Sequence, residues 1–225
     1  FISLLSSPSW SKTLTIDDLV KREDLYYKKF TDIPFTGKVT GLENGTFRKG
    51  NRNGEWLTFY ENGQLKFKRN YKYGKPVGLW EQYHSNGQLK KRGIYKDGKP
   101  DGFWIGYYSN GQLWVKQNYK DGKSVGLHET YRENGLLWNK FNFTDEGREE
   151  EQYFENGQLN QKNILKDGIL FHELYYENGQ LQHKGNIIED GTRRDGLWIF
   201  YNEDGTIYRT KEYRNFDLIF KSIKK

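Results

Sequence analysis

The stretch Tyr60-Glu61-Asn62-Gly63-Gln64-Leu65 decides the fold, because it recurs. It returns as His84-Ser85-Asn86-Gly87-Gln88-Leu89 and Tyr108-Ser109-Asn110-Gly111-Gln112-Leu113, and in weaker form around Asn134-Gly135, Asn156-Gly157, Asn178-Gly179 and Asp204-Gly205. Counted from Asn44-Gly45 upstream, these pairs are spaced by 18, 24, 24, 24, 22, 22 and 26 residues. A short internal period outweighs the usual expectation of one or two globular domains and points to one array of stacked units.

Each unit reads as a β-hairpin. In Gly78-Leu79-Trp80-Glu81-Gln82-Tyr83-His84 and Gln88-Leu89-Lys90-Lys91-Arg92-Gly93-Ile94-Tyr95, two aromatic-rich runs are divided by Asn86-Gly87 and closed by Asp97-Gly98. Asn-Gly and Asp-Gly tolerate the positive φ of tight hairpin turns. Glycine recurs too often for long helices. The predicted fold is all-β: an elongated, twisted antiparallel array of about seven hairpins of 22–24 residues with an N-terminal cap. Trp56, Trp80, Trp104 and Trp198 occupy one repeat position, and Gly63, Gly87, Gly111, Gly135, Gly157 and Gly179 occupy the turns. By alternation, Leu65 and Tyr71 share a face, as do Leu89 and Tyr95, or Leu113 and Tyr119.

Four segments follow. Residues 1–11 are uncharged, with an apolar start, Pro8 and small residues at Ser9 and Ser11, and are expected to be the end of a signal peptide or a disordered tail. Residues 12–41 form the cap, with a short helix near Asp17-Asp18 and strands at Leu25-Tyr26-Tyr27 and Phe35–Gly41 before a first turn at Glu43-Asn44-Gly45. Residues 42–213 are the repeats and 214–225 a C-terminal cap or tail. The expected location is the periplasm or outside the cell, with the cytoplasm as the alternative.

Composition narrows the chemistry. Mean hydropathy is −1.00, yet 17% of residues are aromatic, too many for a disordered chain. A thin structure with much surface per residue reconciles the two. The net charge of +6 is small and interleaved with acidic residues, which argues against nucleic acid as a partner. With no cysteine, disulfides, thiolate metal sites and cysteine nucleophiles are excluded.

The pattern at Gly102-Phe103-Trp104-Ile105-Gly106-Tyr107-Tyr108-Ser109-Asn110-Gly111-Gln112-Leu113, followed by Tyr119-Lys120-Asp121-Gly122-Lys123, resembles the bacterial variant of the MORN repeat. The segment from Leu25 to Val39 resembles the leader that precedes such arrays. The resemblance covers roughly residues 42–213. It implies a binding module; members are commonly labelled antitoxin-like or repeat-containing, and MORN repeats at large are associated with scaffolding and membrane-lipid contact.

No catalytic residue, metal ligand or cofactor motif is assigned. His128, Glu150 and His172 fill the tryptophan position in the middle repeats. Four strand spacings part the two histidines by about 19 Å, too far to share a metal ion of ~2 Å bonds. The candidate binding residues are Trp114 and Trp138, at a position that is mainly polar elsewhere, with Lys90, Arg92 and Lys116 supplying positive charge. Alternation places these tryptophans on the outer face. Exposed Trp beside basic residues suits a protein interface or a sugar ring. The expected function is a non-enzymatic scaffold that binds a protein through an aromatic-studded sheet face. The alternatives are an antitoxin or immunity protein that neutralises a toxin, and a module bound to a membrane surface or glycan. Open edge strands leave room for homo-oligomers.

Overall fold

A computed structural model describes residues 13–188, 193–214 and 217–223; the expected signal-peptide remnant, residues 1–11, lies outside them. The only helical element among the described residues is one 3-10 turn, Ile16–Asp18, and the rest is antiparallel β-structure. Two compact units divide the chain. One comprises residues up to Gln88 with Tyr95–Lys99, the other Leu89–Ile94 with the residues from Pro100 on.

In the first unit the 3-10 turn is held by the Asp18 carboxylate, which accepts from the Thr15 backbone N–H at 2.9 Å. Strands Leu19–Arg22 and Leu25–Lys28 pair as a small separate sheet. Gly37–Val39, Glu43–Arg48, Asn51–Phe59 and Leu65–Lys72 then run as a meander that continues into Gly78–Tyr83. Leu19, Val39, Phe47 and Trp56 are its buried core, and Leu14, Ile16, Tyr26, Phe35 and Tyr71 pack against them. The cap thus covers the first strands with its own apolar side chains, which satisfies an end that stacking leaves open.

The second unit is a meander from Lys99–Tyr107 through Leu113–Lys120, Gly126–Tyr131, Leu137–Thr144, Gly147–Tyr153, Leu159–Lys166, Ile169–Tyr175, Leu181–Ile188, Arg193–Tyr201 and Ile207–Arg214 to Asp217–Ile223.

Two turn types alternate. At Asp97-Gly98, Asp121-Gly122 and Asp167-Gly168 both residues have positive φ, as a two-residue hairpin turn demands. At the Asn-Gly turns only the glycine is left-handed, at +81° for Gly63 and +85° for Gly87 and Gly111. The asparagine has another task. Its Oδ1 accepts from the backbone N–H two residues on, as Asn178 does from Gln180 at 2.9 Å. Its Nδ2 donates to a carbonyl in the next turn: Asn62 to Ser85, Asn156 to Glu177 and Asn178 to Glu203, at 3.0, 3.0 and 3.1 Å. The aromatic two residues earlier adds a second tie. The hydroxyls of Tyr60, Tyr108 and Tyr176 donate to the carbonyls of Tyr83, Tyr131 and Tyr201. The recurring hexapeptide is therefore both a hairpin turn and the link between hairpins.

The structure corrects two expectations. Asn44-Gly45 is not a turn but lies within strand Glu43–Arg48. The glycine is there for clearance. A β-carbon on Gly45 would fall within 3.0 Å of three atoms of the Trp56 indole, and Gly93 and Gly185 stand in the same relation to Trp104 and Trp198. These three tryptophans are 1–4% exposed.

The second correction concerns faces. Gly106 pairs with Val115 but Tyr107 pairs with Leu113, so Trp114 is an extra residue, a β-bulge. The same slip recurs at Thr58/Phe59, Thr130/Tyr131, Gln152/Tyr153, Leu174/Tyr175 and Phe200/Tyr201. It reverses the parity of each strand. Leu65 pairs with Phe59 while Tyr71 pairs with Gly54, so the two lie on opposite faces despite their even spacing. One face carries Trp104, Gly106, Val115, Gln117 and Tyr119; the other carries Phe103, Ile105, Tyr107, Leu113 and Lys116. They are called the tryptophan and tyrosine faces below.

Candidate functional site

The bulge moves Trp114 and Trp138 from the face expected of them. Trp114 lies beside Gly106 on the tryptophan face: a β-carbon there would come 3.1 Å from its ring. Its ring centroid is 6.4 Å from that of Tyr108 and 6.0 Å from the Lys91 ammonium. Trp138 is the extra residue beside Thr130, which shares its face with His128; Trp138 is 41% exposed, with the Arg132 guanidinium 5.5 Å from its ring. Lys116 pairs with Ile105 and so lies on the tyrosine face, apart from both tryptophans. There its ammonium is 3.6 Å from Glu129 and 3.3 Å from the Tyr131 hydroxyl. Lys90 is half-buried and Arg92 exposed. The cation over Trp114 is Lys91, which also lies over Trp104 at 5.3 Å and whose pKa burial lowers.

Along the tryptophan face the register runs His128–Phe141–Glu150–Asn163–His172 across five adjacent strands. This places the two histidines four strand spacings apart, as the repeat arithmetic required. The row holds no indole; its Glu150 and His172 stand on hairpins that lack a feature found ahead of the buried indoles, whereas His128, behind Gly126, keeps that feature. Ahead of Trp104 and Trp198, two residues upstream, stand Gly102 and Gly196 with φ of +74° and +64°. Between Lys116↔Glu129 and Tyr119↔Ser124 the register slips by two residues, and a left-handed glycine, Gly126, absorbs the slip. From Asn139↔Gln152 to Thr144↔Gly147 there is no slip. The 22-residue hairpins are two residues shorter because they lack this bulge.

Without an indole, the face opens at Glu150 into a recess of about 220 Å³ lined by Asn139, Phe141, Glu150, Glu151, Gln152, Gln161 and Asn163. Arg148 neutralises Glu150, Nε to Oε1 at 2.8 Å. Asn163 is buried and accepts from His172 Nδ1 at 2.8 Å. Beyond it, His172 and His183 lie 5.3 Å apart, ring to ring, and His183 stacks on Trp198 and Phe200. Burial, then the neighbouring His172 and Arg194, push His183 down to about 4. Two further recesses adjoin, of about 350 Å³ around Gln152, Asn160 and Phe154 and about 390 Å³ around Tyr108 and Trp138; Arg132 and Glu155 line both.

The tyrosine face is built differently. Lys116, Glu129, Lys140, Glu151, Lys162, Glu173 and Lys184 follow one another across successive strands. Tyr131, Tyr153 and Tyr175 each donate to the glutamate two residues earlier, at 2.7–2.8 Å. Burial and that carboxylate push the Tyr153 and Tyr175 hydroxyls up to about 12. Beside this ladder a row of large apolar side chains is left in water: Phe103, Leu127, Phe171 and Leu197, at 50, 39, 44 and 52% exposure.

A family model described as the MORN repeat variant matches residues 52–73, 76–97, 100–121, 149–167, 172–188 and 194–215, over half of the chain. The chain belongs to the MORN repeat variant family. Comparison with curated proteins finds no match. The MORN match passes over residues 122–148, which contain His128, Trp138 and Phe141. The hairpin that departs most from the MORN pattern is thus the one that borders the polar recess. Sequence reasoning noted Glu150 only as a degenerate tryptophan position and passed over Asn139, Gln152 and Gln161. Their signal was faint: Asn139, Gln152 and Gln161 stand where hairpins elsewhere place Thr58, Phe67, Gly106 or Val115, but Gln82 shares the position of Gln152, and only the run of three sets this hairpin apart. Among the described residues no three His, Asp or Glu side chains gather as a metal site, and no helix is long and apolar enough to cross a membrane.

Proposed function

We propose that this chain is a non-enzymatic repeat scaffold that holds another protein against the tyrosine face of its second unit. The observation that carries this reading is the apolar row Phe103, Leu127, Phe171 and Leu197. All four occupy one repeat position, and Leu79 in the first unit occupies the same one. Register runs Leu127–Asn142–Glu149–Ile164–Phe171–Asn186 across six strands, so Ile164 and Phe171 are direct neighbours. Scattered surface leucines need no explanation, whereas large apolar side chains that recur at one repeat position on one face mark a contact surface. Covering the exposed half of each side chain contributes about 1 kcal/mol apiece. The adjacent lysine–glutamate ladder supplies a polar rim of both signs, which sets orientation more than affinity. Turn links fix the spacing of the row, so the face is organised before the partner arrives.

The test is site-specific photo-crosslinking in the native host. Benzoylphenylalanine at position 103 or 171 should trap one discrete protein, and Leu127→Asp should abolish the trap while the circular dichroism spectrum is unchanged. Equal trapping from Trp138 on the opposite face, or trapping that survives Leu127→Asp, would refute the assignment.

A further inference from the structure

The recess at Glu150 has the wrong chemistry for the partner just described. It sits on the tryptophan face and its walls are carboxamides. Asn139, Gln152 and Gln161 are direct ladder partners on three adjacent strands, and Phe141, Glu150 and Asn163 form the next row. The three carboxamides are therefore stepped by about 4.8 Å. Each presents two N–H donors and a carbonyl acceptor with no net charge. Of the two glutamates that line the recess, Glu150 is paired with Arg148 and Glu151 with Lys140. Such a row hydrogen-bonds groups that both donate and accept, and it gives no net charge with which to hold an ion.

The recess also continues. Gln152 lines the 220 Å³ recess and its 350 Å³ neighbour, and Arg132 and Glu155 line that neighbour and the 390 Å³ recess beside Trp138. The trough therefore has Phe141 at one end and Trp138 and Tyr108 at the other; between them stand the carboxamides, Arg132, and Glu133, Glu155 and Glu177, whose carboxylates accept from hydroxyls and disfavour an anionic ligand. Flat aromatic surfaces at the ends and alternating donors and acceptors along the floor complement pyranose rings, whose C–H faces stack and whose hydroxyls bridge. We propose that this trough is a binding site for an uncharged oligosaccharide.

Two other occupants fit less well. A protein anchor wants an apolar, desolvated pocket, and this floor is amide. An anionic headgroup wants free cations. Lys140 and Lys162 are tied to Glu151, whose side chain lies on the opposite face. Arg132 keeps its charge while donating to the Tyr153 carbonyl at 3.0 Å, but it shares its recesses with Glu133, Glu155 and Glu177, which leave an acidic excess there.

The experiment uses the full chain and five soluble probes: the hexasaccharides of cellulose, chitin, starch, laminarin and α-mannan. Titration is followed by calorimetry and by tryptophan emission. At least one probe should bind saturably and shift the emission. Gln152→Ala with Gln161→Ala should weaken that probe at least tenfold, about 1.4 kcal/mol, and Trp138→Ala should remove most of the emission change. Affinity should be nearly the same at about 50 mM and about 500 mM salt, since no free charge is used. If the double variant fails to fold, Gln152→Leu alone, at an exposed position, carries the same expectation of weaker binding. The inference falls if none of the five binds, if binding survives the carboxamide substitutions, or if it decays with salt as a charged lipid contact would. Phe171→Asp should leave saccharide binding intact, so failure here and failure of the protein-binding reading are separable.

Discussion

Gly93→Ala adds one methyl group, yet the geometry makes it one of the costliest small changes in the second unit. Gly93 has no positive φ, so alanine meets no backbone strain. The obstacle is the indole of Trp104, three of whose atoms lie within 3.0 Å of the new carbon. Trp104 is 4% exposed, with Lys91 over its ring and Tyr119 at its edge, 6.1 Å between centroids. The ring cannot withdraw without displacing both, and overpacking of this kind costs ~1–3 kcal/mol. Gly102→Ala is the matched control. Nothing lies within 4 Å of its β-carbon, but its φ is +74°, so its cost, ~1–2 kcal/mol, is backbone strain alone. Trp104→Ala separates the two. In that background Gly93→Ala should become neutral or gain ~0.5–1 kcal/mol from replacing glycine within a strand, a coupling of roughly 1–4 kcal/mol. Gly102→Ala should cost the same in both backgrounds. Urea midpoints followed by circular dichroism measure the parent and all five variants. A Gly93→Ala protein as stable as the parent, or one equally destabilised with and without the indole, would refute the clearance argument.

Other outcomes follow from the same geometry. Asn178→Asp keeps the acceptor for Gln180 but loses the donor to Glu203, and should lower the urea midpoint by about 1 kcal/mol equivalent. Asp204→Asn, in the last turn, should change stability little, because Asp204 Oδ1 already takes the Thr206 N–H at 2.8 Å. Acid should destabilise the second unit through its histidines. His183 is held near 4 and His172 is also lowered, so the unfolded chain binds more protons than the native one as pH falls from about 6.5 towards 4. Stability is then full above the ordinary histidine pKa, is lost through that window and levels off below it. His183→Phe should flatten the slope in urea midpoints measured at successive pH values.

Most of the fold was legible because a period needs no context. Seven turns, two runs per turn and no apolar helical stripe leave little but a hairpin meander. The faces were not legible, and a single residue is responsible. Alternation reads each strand by itself and assumes that every residue advances the pleat. The bulge at Trp114 breaks that assumption between Leu113 and Val115, and only the pairing with Gly106 and Tyr107 reveals it. Hence the tryptophans singled out as exceptions were real exceptions assigned to the wrong face. Asn44-Gly45 misled for the complementary reason. An isolated Asn-Gly reads as a turn, but a glycine required for steric clearance looks the same in sequence as one required for positive φ.

The spacing of the repeat held information that periodicity alone does not convey. A step of 24 against 22 looked like noise in a degenerate array. In the structure those two residues are a bulge with a left-handed glycine; hairpins without it carry Glu150 or His172, and the buried indoles Trp56, Trp104 and Trp198 all stand on hairpins that keep it. Shortening the hairpin and losing the indole coincide at Glu150 and His172, while His128 has lost the indole at full length. The links between hairpins are untouched by either: Asn156 and Asn178 still donate to the next turn, and Arg132 replaces a tyrosine hydroxyl in donating to the Tyr153 carbonyl. With the turns carrying the stacking, the tryptophan face can exchange its indoles for His128, Glu150 and His172 without breaking the array. A binding trough belongs where that exchange occurs, along residues 132–163 of the second unit.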